Sequence, residues 1–86
     1  MIEQFTYMAT GRFSSGAVFE TELLVVAASE AEAEDEAMIC IDSFESITDW
    51  SLKPIVSTPA DQNEVSRYQQ QGPFAVFDPA VLHERG

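Results

Sequence analysis

Basic side chains are scarce in this chain: four stand against fifteen acids, for a formal net charge of −11, and none lies among the forty residues between Arg12 and Lys53. Nucleic acids and anionic membranes are bound by clustered basic surfaces, so this composition argues against direct binding to either. Cysteine is nearly absent as well. The single Cys40 excludes an internal disulfide framework, reads as a small packed hydrophobe, and makes a reducing cytoplasm the expected compartment. No apolar run exceeds residues 23 to 28, far short of the ~20 residues that cross a bilayer. The opening Met1-Ile2-Glu3-Gln4 has neither the cationic start nor the apolar stretch of a signal peptide, so a soluble protein is expected. Glycine is missing between Gly16 and Gly72, which denies a calcium loop its sharp turn. His83 is the only histidine and has no companion at zinc-ligand spacing. Neither a nucleophile–base pair nor a carboxylate pair in a cleft is indicated, so no enzyme, metal or cofactor is expected.

What is present is a globular composition, 45% apolar with six Phe, two Tyr and one Trp, which excludes whole-chain disorder. Eighty-six residues suit a single domain, residues 1–86, that buries ~60 to 65% of the surface its unfolded form exposes. Residues 4 to 10 alternate so that Phe5, Tyr7 and Ala9 share one face, the period of a half-buried strand. Gly11 to Gly16 forms turns, and residues 17 to 27 alternate again with Phe19, Thr21, Leu23 and Val25 on one face, so a hairpin is predicted. Ser29 with Glu32 matches the capping box S-x-x-E, in which each side chain satisfies an orphan backbone N–H. A helix therefore starts there and runs to about Phe44, with Ala33, Ala37, Cys40, Ile41 and Phe44 on its buried stripe.

A third strand spans about 48 to 56 through Trp50, Leu52 and Val56, and Pro54 marks it as an edge. The predicted core, residues 1–56, is an α+β two-layer sandwich. Its antiparallel-dominated three-stranded sheet is of ββαβ type with order 2-1-3, the main helix lies on one face, and a right-handed crossover sets strand three parallel to strand two. Residues 57–86 read as a C-terminal arm. Thr58-Pro59 with Asp61 resembles a helix start and Gly72-Pro73 a stop, so a polar helix is predicted over 59 to 71. Phe74, Val76 and Phe77 then form a short apolar element, and Asp78-Pro79 caps a last turn through Val81 and Leu82. This arm is expected to fold back over Met8, Leu24 and Val26.

Ten carboxylates occupy the gap in basic charge: Glu20, Glu22, Glu30, Glu32, Glu34, Asp35, Glu36, Asp42, Glu45 and Asp49. Glu20 and Glu22 belong to a strand face, and Glu30 and Glu32 complement the positive end of the helix dipole. At ~100° per residue, Glu32, Asp35, Glu36 and Asp42 fall opposite the buried stripe with Ile39 in their midst. That face reads as an ordinary solvated surface, as a mimic of a phosphate row that occludes a basic site, since carboxylates one turn apart lie ~5 to 6 Å from each other at Cβ, or as another acidic docking surface.

The short α+β outline, the acidity and the Ser-Glu-Ala-Glu-rich helix after a hairpin resemble the small phage and mobile-element proteins that include the anti-CRISPR inhibitors. The likeness covers residues 1 to 56 in outline, and its matching feature is the acidic run from Glu30 to Asp49. It implies a non-enzymatic inhibitor that occupies a basic, nucleic-acid-binding surface of a protein complex, such as a CRISPR effector subunit. Glu32, Asp35, Glu36 and Asp42 would then be charged contacts and Ile39 an apolar anchor. The alternative from another class is a structural or assembly module that homodimerises through its sheet, by the Met8/Leu24/Val26 face or the open edge of strand two.

Overall fold

A long hairpin organises the molecule. In the computed structural model, which describes residues 1–76, β1 (Glu3–Phe13) pairs with β2 (Val18–Ala27) in antiparallel register from Glu3↔Ala27 to Arg12↔Val18. The turn closes when the Phe13 N–H donates to the Ala17 carbonyl at 2.7 Å and the Gly16 N–H to the Phe13 carbonyl at 2.9 Å. Gly16 sits at φ 94, a backbone region that residues with a Cβ rarely occupy. β1 runs further than predicted. Gly11 was expected in the turn and lies instead inside the strand, where a Cβ would come within 2.6 Å of the Phe19 ring and strike the Asp49 carbonyl.

After β2 come α1 (Glu30–Asp42), β3 (Ile47–Pro59), α2 (Gln62–Gln71) and β4 (Phe74–Val76). The protein is α+β, and its described residues form a four-stranded sheet of order β3-β1-β2-β4 with each of these pairings antiparallel. The three-stranded expectation is corrected by β4, which adds to β2 from Leu24↔Val76 to Val26↔Phe74. β3 lies beside β1 as predicted, antiparallel to it and so running with β2, and Pro54 sits on this edge strand. β3 carries two extra residues relative to β1, Ile55 between the Tyr7 and Thr6 partners and Thr48 between those of Phe13 and Arg12. Each bulge bends the edge and shifts the alternation of faces by one residue.

α1 starts where the capping box placed it: the Ser29 hydroxyl accepts from the Glu32 N–H at 3.2 Å and the Glu32 carboxylate accepts from the Ala28 N–H at 2.9 Å. It ends at Asp42, short of Phe44, with Ser43 as C-cap. Ala33, Ala37 and Ile41 are fully buried against Phe5, Tyr7, Ala9, Leu23, Val25 and Ala27. Small residues at 33 and 37 let the helix lie close to the strands. Burial of Leu23, Val25 and Ile41 contributes about 1.5 to 3 kcal/mol each.

The second helix departs from its predicted start. β3 stays paired with β1 as far as Glu3↔Pro59, so Pro59 ends a strand and does not open a helix. Asp61 is the N-cap, and a capping box forms between Asp61 and Glu64 with bonds of 2.8 and 3.0 Å. α2 lies on the sheet face opposite α1. Gln4, Val26 and Phe74 share that face by register; Gln4 donates to Glu64 at 2.7 Å and the Arg67 guanidinium sits 4.1 Å above the Phe74 ring. The two-layer picture is therefore corrected by a second helix covering one end of the other face. Val26 is fully buried there, whereas Met8 and Leu24 stay half-buried. Val26 is buried and Leu24 to Val26 pair with β4, so part of the Met8/Leu24/Val26 face and of the strand-two edge is occupied, whereas residues 18 to 23 of the β2 edge carry no further strand among the described residues. Phe77, the Asp78-Pro79 turn and His83 lie outside the described residues.

Candidate functional site

Helix α1 is all acid on its charged positions: Glu30, Glu32, Glu34, Asp35, Glu36 and Asp42, with no base in its last turn. The fold presents these side chains unequally. Ala31, Glu34, Asp35, Met38, Ile39 and Asp42 are exposed, whereas Glu32, Glu36 and Cys40 are half-buried. The helix thus leans so that its Glu32/Glu36/Cys40 flank turns toward the sheet. Its outward face centres on Ala31, Asp35 and Asp42, at ~100° per residue.

Of the five residues expected to act together, the structure keeps three on one open face. Ile39 is 64% exposed, with Asp35 three and four residues from Met38 and Ile39 and Asp42 following one turn on. Glu36 lies at the rim, where its charge and, first, burial raise the Cys40 thiol above its usual pKa. Glu32 is occupied by the fold. Its Oε1 accepts from the Tyr68 hydroxyl at 2.6 Å as well as from the Ala28 N–H at 2.9 Å. These two bonds, Tyr68 first, hold its pKa below the ordinary carboxylate value. The same bond raises the Tyr68 pKa.

Sequence reasoning missed two members of the face, Glu34 and the 41% exposed Met38. The predicted stripe already turns Cys40 inward, but helical spacing cannot show the diversion of Glu32, whose partner is Tyr68 of α2, thirty-six residues away. On the other flank, Glu34 and Glu30 lie near Tyr7, whose pKa is raised first by burial and then by those two charges.

Two further surface features border the sheet. A shallow open trough of about 700 Å³ crosses the hairpin end, lined by Thr10, Gly11, Arg12, Glu20, Asp49 and Trp50 among others. A smaller hollow of about 250 Å³ lies between Tyr7, Glu30 and the Pro54–Ser57 stretch of β3. Among the described residues no group of three or more His, Cys, Asp or Glu side chains is placed to hold a metal ion. No described helix is long and apolar enough to cross a membrane. No protein-family model, curated protein or solved structure matches this chain.

Proposed function

We propose that this protein is a non-enzymatic acidic binder that occupies a basic, nucleic-acid-binding surface of a protein complex in the cytoplasm and blocks it. The supporting observation is the outward face of α1, where the exposed Ile39 and Met38 stand among Glu34, Asp35 and Asp42. Met38 and Ile39 flank the Ala31/Asp35/Asp42 line, so exposed apolar surface and carboxylates lie side by side on this face. In an interface, the carboxylates steer encounter with Lys and Arg side chains, and the apolar pair slows dissociation once water is expelled. Glu36 serves at the rim, and Glu32 acts indirectly by tying α1 to α2.

The outline resemblance to anti-CRISPR inhibitors makes CRISPR effector complexes the first partners to try. Binding of the parent and of the double reversal Asp35→Lys/Glu36→Lys is measured at low and high salt. The reversal is expected to slow association about tenfold and to flatten the salt dependence. Ile39→Ala should instead speed dissociation. Equal affinity of parent and double reversal at both salt concentrations overturns this reading.

A further inference from the structure

We infer that β3 pairs with β3 of a second copy of this chain, antiparallel about a twofold axis at Ser51, so that two sheets join into one. β3 is an edge strand thirteen residues long, bonded only to β1 among the described residues. The direction of its free backbone groups follows from β1. The Phe13 N–H on the Ala17 carbonyl sends odd-numbered β1 residues toward β2, and the Ala60 N–H on the Ile2 carbonyl sends even-numbered ones toward β3. Thr10 and Met8 are even, so their partners Ser51 and Lys53 bond inward. Trp50 and Leu52 therefore turn their N–H and C=O groups outward, and Pro54 offers an outward carbonyl only.

Pairing centred on Ser51 sets Trp50 opposite Leu52 of the second copy, and Leu52 opposite its Trp50, so all the outward groups of both residues find partners. The same register places Asp49 directly opposite the other copy's Lys53, twice over, on the face that also carries Ser51. β3 has one acid and one base in an otherwise acidic chain, and this register brings them together. Trp50 and Leu52 pack on the core but remain half-buried, and the second strand would cover them. Centring on Leu52 instead would set Trp50 against Pro54, which has no N–H, and would leave Asp49 without Lys53. Pro54 with the Ile55 bulge at one end and the Thr48 bulge at the other confine the pairing to residues 49–53, because each interrupts an edge.

The self-opposed Ser51 would form a non-hydrogen-bonded pair, with Cα atoms about 4.5 Å apart, a separation that suits a disulfide. Ser51 is exposed, and among the described residues its hydroxyl bonds with the Thr10 hydroxyl, at 2.9 Å, so cysteine is tolerated there. The full chain carrying Cys40→Ala and Ser51→Cys is exposed to a mild oxidant, beside Asp49→Cys in the same background. Sedimentation of the parent follows its mass with concentration. Expected are a reversible dimer, rapid disulfide capture by Ser51→Cys, and none by Asp49→Cys, whose copies lie about 14 Å apart along the strand. Lys53→Asp should weaken the dimer about tenfold by opposing like charges twice, and Asp49→Lys/Lys53→Asp should restore it. A monomer at every concentration with no capture overturns the inference. So does a dimer that Ser51→Cys fails to trap or that the charge swap fails to rescue.

Discussion

Tyr68 and Glu32 form the side-chain link between the two helices, and both ends of the pH scale act on it. Glu32 has a lowered pKa in the fold, so its contribution is complete above the ordinary carboxylate value and is lost as pH falls through the lowered folded one. Tyr68 has a raised pKa, so its contribution is complete below the ordinary tyrosine value and is lost as pH rises through the raised one. Tyr68→Phe should therefore lower the urea midpoint at neutral pH, and the gap from the parent should close in acid as Glu32 takes up its proton. An equal gap at acid and neutral pH would argue against the link. Gly11 makes a steric demand of a different kind. Gly11→Ala puts a Cβ within 2.6 Å of the Phe19 ring and against the Asp49 carbonyl, and backbone cannot move aside as a flexible side chain does. A loss of about 2 to 3 kcal/mol in equilibrium unfolding is expected.

At the level of elements, legibility tracked how local the determining signal was. The Ser29/Glu32 box lies within four residues, and α1 starts where it says. Alternation at Phe5, Tyr7 and Ala9 put β1 in the right place and on the right face. The start of α2 misled because Thr58-Pro59 and Asp61-Gln62-Asn63-Glu64 are both locally acceptable. The β3 ladder, extending to Pro59 opposite Glu3, chooses between them. β4 is three residues long, too short to show a period, and it exists because Phe74 finds Val26 far away in the chain. For the candidate face, Asp35, Ile39 and Asp42 were readable from helical spacing, whereas the diversion of Glu32 depends on α2 docking. Asp61→Ala removes half of the α2 capping box and should cost about 1 kcal/mol of stability, seen as a lower thermal midpoint. An unchanged midpoint would mean that the contacts of α2 with Gln4, Glu32 and Phe74 hold it without the cap.

Charge and pairing capacity are segregated across the whole molecule. The six acids of α1 lie on one side of the sheet, and β3, with one acid and one base, lies at its edge. A twofold axis perpendicular to the sheet would keep both copies of α1 on the same side, so two acidic faces would meet one extended basic surface, and linkage of the two contacts would raise avidity without any new contact. The bulge at Ile55 has a further consequence for solubility over time. Deleting Ile55 leaves every β1–β3 pair intact, since Tyr7↔Pro54 and Thr6↔Val56 already flank it, and straightens the far end of the edge while the Thr48 bulge and Pro54 stay. A straighter edge with Val56 53% exposed is a better template on which further chains can add. The deletion variant should fold, yet on prolonged incubation it should form more dye-binding aggregate than the parent; in that sense one extra residue helps keep the assembly finite.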